Sequence, residues 1–242
     1  CVERDAVAIT WLNQLDVPRL RCDEEWAESL LAERFFRPNL HYDLFYIQTD
    51  LGMATILCLL RDDNFDPPLH CVGGAARFDV RDAVRKALIE CVQGWTWARH
   101  ERLELGPRPT PASFDDVTSF ASRVQLYACA DMSQAVSFLT SSRGEVRLSR
   151  IPPRSAPAGA LVQTLAARIS AAGSDAIVID LTSPDIEDLG FSVVKVYCPG
   201  LEQLEGDHRY RLLGGTRWHT VPEKVGLTRS GPQPNPWPHP YP

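Results

Sequence analysis

Cys71-Val72-Gly73-Gly74-Ala75-Ala76, then Asp79, then Val80-Arg81-Asp82-Ala83-Val84-Arg85-Lys86-Ala87-Leu88-Ile89-Glu90-Cys91-Val92-Gln93 carries the chain from strand into helix. The first six residues read as a short strand that runs into glycines. Asp79 has the short acceptor side chain of a helix N-cap. From Val80 to about His100 the apolar residues Val84, Leu88, Cys91, Val92 and Trp95 fall on one helical face. A second stripe, Lys86, Glu90, Gln93 and Trp97, lies on another face at i, i+4, i+7 spacing. Upstream, residues 41–48 and 53–60 read as two strands. They are joined by the tight turn Thr49-Asp50-Leu51-Gly52, a hairpin pattern. Two helices precede them. One runs to about Leu15 and is ended by Pro18. The other starts at Asp23 as N-cap and passes Trp26, Leu30 and Leu31 to about Phe36.

Downstream, Ser113 with Asp116 resembles a capping box, and helices are expected over about 115–128 and 133–140. Residues 149–159, with Pro152, Pro153 and Pro157, form the best internal linker. After it the pattern predicts a helix over 161–172, strands over 176–181 and 192–197, and a short helix or turn over 184–189. That rhythm predicts a parallel strand pair. The fold class is therefore α/β in the mixed sense, a sheet flanked by helices, with one compact unit over residues 1–230 and an extended tail over 231–242.

The tail is Gly231-Pro232-Gln233-Pro234-Asn235-Pro236-Trp237-Pro238-His239-Pro240-Tyr241-Pro242. Proline at every second position fixes φ, removes backbone donors and holds the residue before it extended. No helix or central strand can form there, and a rod close to polyproline II is expected. Three uses are open to such a rod: a solvated tail, a ligand for a partner's aromatic groove, or a segment that docks back on its own protein.

Composition narrows the function classes. The 242 residues carry a net charge of -6, with 44% hydrophobic and 23% charged residues, ordinary for a globular protein. That charge gives no electrostatic case for nucleic acid, and no apolar run is long enough to cross a membrane. Seven cysteines, an odd number without a C-x-x-C pair, argue against a disulfide framework or a zinc site. They point to small core residues in a reducing cytoplasmic setting. Cys1 to Ile9 reads as a helix already under way, so a longer protein with an upstream part of any active site is expected. No P-loop, G-x-G-x-x-G, G-x-S-x-G or H-E-x-x-H occurs. What remains is Glu3-Arg4 and Glu90-x-x-Gln93 on two helices. Carboxylates and an amide suit a hard cation such as Mg2+, and Arg4 suits a phosphate. Each pair alone is more often a solvated helix face than a site.

Together these pieces resemble the YcaO family, in particular its azoline-forming cyclodehydratases from ribosomal peptide natural product pathways of the thiazole/oxazole-modified microcin type. Cys1-Val2-Glu3-Arg4-Asp5-Ala6 is similar to the end of the family's Glu-x-x-Glu-Arg-Asp-Ala helix. Gly73-Gly74 with residues 82–93 is similar to its Gly-rich strand and Ala-Leu-x-Glu-x-x-Gln helix. Asp180-Leu181-Thr182, Asp185, Leu189-Gly190-Phe191 and residues 193–201 are similar to its last β-α-β segment. The tail is similar to the Pro-x-Pro-x-Pro ending of the azoline-forming branch.

The resemblance implies a YcaO-like fold with ATP and Mg2+ as cofactors. ATP activates a backbone amide oxygen, and a Cys, Ser or Thr side chain of a ribosomally made precursor peptide attacks the amide carbon. It implies Glu3 and Glu90 as metal ligands, Arg4 and Gln93 in the nucleotide or metal shell, and Pro238, His239, Pro240 and Pro242 as the part of the tail that supports cyclisation, His239 as general base. A ThiF-like leader-binding protein and a flavin-dependent azoline dehydrogenase are the implied partners. Two departures stand out. The family's first Glu of Glu-x-x-Glu-Arg would precede Cys1, as would its Ser-containing ATP segment, so the fragment is expected to be inactive alone. The Arg that follows the Gln by two residues in many members is here Trp95, for which Arg99 is a substitute candidate. A thioamide-forming relative is disfavoured by the tail. A degenerate scaffold that binds a peptide or partner enzyme is disfavoured by the retained Glu3, Arg4, Glu90 and Gln93.

Overall fold

The computed structural model of the chain describes residues 1–155 and 157–241. A five-stranded sheet has the order β4-β3-β2-β1-β5. Its strands are β1 (Arg19–Arg21), β2 (Leu40–Ile47), β3 (Ala54–Asp62), β4 (Leu69–Arg77) and β5 (Glu145–Arg147). All neighbours are antiparallel except β1 and β5, which run parallel. The hairpin is as expected, with Leu40 opposite Asp62 and Ile47 opposite Thr55. In β3 every residue but Arg61 is buried, because both sheet faces are covered.

Helix α3 (Val80–Leu105) covers one face. Asp79 caps it as expected, its side chain accepting the Arg81 N–H at 2.7 Å. Ala83, Ala87, Leu88 and Cys91 pack on Ile56, Cys58, Cys71 and Ala75. The approach is close enough to need Gly73: a Cβ there would lie 2.3 Å from the Cys91 backbone nitrogen. Five of the seven cysteines are buried and all are free thiols, as the sequence suggests. Burial pushes the Cys91 thiol well above its ordinary pKa, so it is packing material rather than a nucleophile.

The other face carries α1 (Val2–Asn13), α4 (Phe120–Cys129), α5 (Ser133–Thr140) and α8 (Arg217–Val225). Ile9 and Leu12 of α1, Tyr127 of α4 and Val221 of α8 share one core with Phe45, Ile47, Leu57 and Val72 of the sheet. A buried charge network fixes α8 to α1. Arg217 donates from Nε and Nη2 to the two carboxylate oxygens of Asp5, at 2.8 and 2.9 Å, and also binds Asp50 at 2.6 Å. Asp5 is fully buried, so its charge is tolerable only because it is paired.

Several local expectations are corrected. The second helix is α2 (Glu25–Leu30) with Glu24 as N-cap, continued by one π-helical turn over Leu31–Phe35. Asp23 instead accepts the Ser149 N–H and hydroxyl at 2.9 and 2.8 Å. The capping box belongs to Ser119 and Ser122 rather than Ser113 and Asp116, so α4 starts later than expected. Beyond α6 (Ala158–Ala171), strands β6 (Ile177–Asp180) and β7 (Val194–Tyr197) pair antiparallel, not parallel. The connecting α7 (Pro184–Asp188) explains this. Five residues rise about 7.5 Å, whereas returning along a four-residue strand needs about 13 Å. Strands β1 and β5 and helix α8 have no counterpart in the sequence reading.

Candidate active site

Two carboxylates converge at the free edge of β4. Glu3 comes from the first turn of α1 on one face of the sheet, and Glu90 from α3 on the other. Glu90 lies beside the Gly74 backbone, and its pKa is raised, first by burial and then by the negative charge of Glu3; Lys86, 3.5 Å away, works in the opposite direction. Two carboxylates that raise each other's cost of ionisation are a place where a cation would be favourable. Gln93 follows Glu90 by less than one turn and is exposed on the same side of α3. Arg99 is exposed but lies about 120° round the helix from Gln93. The indole of Trp95 donates to Asp62 at 2.9 Å, which ties α3 to the sheet.

Arg4 is exposed and points into a cavity of about 380 Å³, lined also by Lys195, Tyr197 and Gln203. A second cavity of about 310 Å³ is lined by Glu3 together with Met53, Ala76 and Ile169. Glu3 thus lines one hollow and Arg4 the adjoining one, which share Cys1, Val196 and Cys198.

The tail closes this site from the side of α1. It is a bent strap rather than the expected straight rod, with bends at Gly231, Gln233, Pro234 and Trp237. The cause is a ladder of contacts that runs backwards along α1. Gln14 donates to the Pro232 carbonyl at 3.1 Å. The Asn235 N–H donates to the Leu12 carbonyl at 2.9 Å. The Trp11 indole donates to the Trp237 carbonyl at 2.9 Å. From α4, the buried Tyr127 hydroxyl donates to the Pro238 carbonyl at 2.7 Å. Proline leaves carbonyls without ladder partners, and here aromatic donors supply them. Pro238, His239, Pro240 and Tyr241 are all buried. Pro242 lies outside the described residues.

The last described residue, Tyr241, is 4% exposed, and its hydroxyl donates to the Glu3 carboxylate at 2.9 Å. Gly74 makes room for it: a Cβ there would lie 1.6 Å from that hydroxyl. Burial, then Glu3 and Glu90, push the phenol far above its ordinary pKa, so it stays a proton donor.

His239 sits one to two turns further along, against Ala8, Trp11 and Leu12. Its Nε2 is 3.1 Å from the Glu205 carbonyl, which can only accept, so Nε2 carries the proton. Nδ1 is buried without a hydrogen-bond partner among the described residues. Burial and the nearby Arg123 guanidinium lower its pKa to about 4. In this docked state His239 is neutral, as a general base must be, but its free nitrogen is enclosed.

A family model described as the ATP- and Mg2+-binding YcaO cyclodehydratase matches residues 1–202. The chain belongs to the YcaO family. Among solved structures, the heterocyclase TruD matches at 26% identity and TM-score 0.66, covering 99% of this chain and 31% of that one. A heterocyclase in complex with substrate and cofactor matches at 24% identity and TM-score 0.69, covering 99% and 30%. The chain thus spans about a third of the length of these two heterocyclases. YcaO from Methanopyrus kandleri bound with AMPPCP and Mg2+ matches at 19% identity and TM-score 0.60, covering 84% and 49%. No curated protein matches the chain.

Glu3, Arg4, Glu90 and Gln93 all lie within the YcaO match, whereas Arg217 and Tyr241 lie beyond it. Sequence reasoning assigns Arg217 no role and covers Tyr241 only as part of the tail end over residues 238–242. Arg217 opens a segment whose apolar residues Trp218, Val221, Pro222 and Val225 do recur at helical spacing, but Pro222 within it argues against a helix. The signal that points to Tyr241 is the alternation of the tail, which puts Trp237, His239 and Tyr241 on equivalent positions.

Proposed function

We propose that this chain is part of an ATP-dependent cyclodehydratase that converts Cys, Ser or Thr of a ribosomal precursor peptide into thiazoline or oxazoline. The observation that carries this reading is the convergence of Glu3 and Glu90 at Gly74, closed by Tyr241 of the tail. Two carboxylates are what Mg2+ uses when waters and substrate phosphates complete its shell. The raised pKa of Glu90 is the electrostatic strain that such a cation relieves. No group of three or more acidic, His or Cys ligands occurs among the described residues, which fits a nucleotide-bridged Mg2+ better than a protein-only metal cage.

Glu3 and Glu90 would hold Mg2+, Arg4 would pair with phosphate oxygens, and Gln93 would orient the nucleotide or a metal-bound water. ATP bound with Mg2+ supplies the phosphoryl group that turns an amide oxygen into a leaving group. In the reaction the peptide's thiol sulfur or hydroxyl oxygen bonds to the preceding carbonyl carbon. The former amide oxygen leaves as part of phosphate, so each ring costs the peptide one water. The enzyme's contribution is charge neutralisation and positioning. Pro238, His239, Pro240 and Pro242 would shape the tail end of that pocket. Such a reaction needs the precursor peptide and a ThiF-like protein to present its leader. A flavin-dependent dehydrogenase would act on the product, and the setting would be the cytoplasm. The 99% coverage by two heterocyclases, tail included, supports the azoline-forming branch.

The test combines ATP turnover with precursor mass, using the complete protein and its partner. Loss of one water per ring, abolished by Glu90→Gln, is the expected result. ATP turnover and peptide mass unchanged by the protein would sink the reading and leave a scaffold that binds peptide.

A further inference from the structure

We infer that Tyr241 is a positioning residue for the metal carboxylate: its hydroxyl fixes the orientation of Glu3, so that seating of the tail and binding of the divalent cation strengthen each other. This rests on the function proposed above, in which Glu3 and Glu90 hold the cation. The geometry is specific. The Tyr241 hydroxyl donates to Glu3 Oε1 at 2.9 Å, leaving the other carboxylate oxygen for the cation. The ring is buried, and Gly74 is required for it to reach this place. Ligating carboxylates are commonly held by such outer hydrogen bonds, and losing one weakens metal binding about 10–100-fold.

The anchors of the tail are separate from this contact. Trp11 and Tyr127 hold the Trp237 and Pro238 carbonyls through hydrogen bonds that do not involve the Tyr241 hydroxyl. Removing one oxygen atom therefore tests orientation without releasing the strap. Coupling also has to be reciprocal: a cation that prefers the oriented Glu3 must tighten the tail by the same factor.

The probe is Mn2+, titrated into the complete protein with a non-hydrolysable ATP analogue, free Mn2+ being read by electron paramagnetic resonance. Exchange protection of the Trp11 indole N–H reports tail docking in parallel. Tyr241→Phe is expected to weaken Mn2+ binding about 10-fold or more with the Trp11 indole still protected. Gly74→Ala, which displaces the ring, is expected to do the same. In the wild type, Mn2+ with the analogue should raise the indole's protection. Equal Mn2+ affinity in wild type and Tyr241→Phe, while Glu3→Gln and Glu90→Gln lose it, overturns this inference and leaves the proposed function standing. Loss of indole protection in Tyr241→Phe also overturns it, since the hydroxyl would then only hold the tail. Mn2+ binding that survives Glu3→Gln and Glu90→Gln overturns both.

Discussion

The proline-rich tail and the β6–β7 hairpin exchange the environments their compositions suggest. The tail has no regular backbone ladder and six prolines in twelve residues, yet its end is buried. The hairpin is rich in Val and Ile, yet Val178 is 62% exposed and Phe191 at its approach is 67% exposed. The tail has a platform in α1 and α4, whose Trp11, Tyr127 and Leu12 match its carbonyls and its Asn235 N–H. The hairpin pairs with itself, and both of its four-residue strands are exposed throughout. Apolar content gives a segment a reason to be buried, but only a complementary surface buries it.

The comparison breaks most severely if the platform is weakened. Arg217→Ala would leave Asp5 buried and unpaired, at a cost of about 3–5 kcal/mol, read as a lower urea midpoint. A cost below about 1 kcal/mol would show that the network does not hold α1 and α8 together. Trp237→Ala removes a half-buried aromatic that packs on Phe114 with ring centres 5.4 Å apart. A loss of about 2 kcal/mol is expected, less than for a fully buried Trp.

A change of pH should act on the docking of the tail. Docked His239 titrates at about 4, against about 6.5 when released. Above that upper value both states are neutral at His239 and docking is at full strength. As pH falls from about 6.5 towards 4 the released tail takes up a proton that the docked tail refuses, so docking weakens. The facing groups are Arg123 on α4 and Glu205, His208 and Arg211 on the loop before α8. Arg123 and Arg211 keep their charge throughout this range. Burial pushes the Glu205 carboxyl up, but the His208 hydrogen bond and the Arg123 guanidinium hold it below its ordinary value. The exchange rate of the Trp11 indole across pH 4–7 measures the effect, and His239→Asn should flatten it. The smallest effect belongs to the hairpin. In the 242-residue chain, Val178→Thr should change stability by no more than about 0.5 kcal/mol. A larger loss would mean that β6 is buried in solution.

Elements were legible where one physical signal dominated. The α3 helix has a cap, a stripe and no competing reading. The β2–β3 hairpin has a tight turn between two apolar runs. Glu3 and Glu90 were legible as candidates, yet their meeting at Gly74 depends on which sheet edge is free, and pairing order does not show in local pattern. Three-residue strands such as β1 and β5 carry too few residues for a period. The antiparallel β6–β7 pair was hidden because a strand-helix-strand rhythm does not state how long the helix is relative to the strands. Asp23 and Ser113 misled because the same short polar side chains serve caps and loop contacts alike. The tail's docking was one of three open uses, and only its partners on α1 and α4 decide among them.

The most direct test of the docked tail is exchange of the Trp11 indole proton, followed by NMR in the full chain and in a form that ends at Asn235. That proton is held by the Trp237 carbonyl at 2.9 Å. Strong protection in the full chain that vanishes on truncation, while the amides of α1 stay protected, is the predicted result. An indole that exchanges equally fast in both forms would show that the tail does not lie along α1.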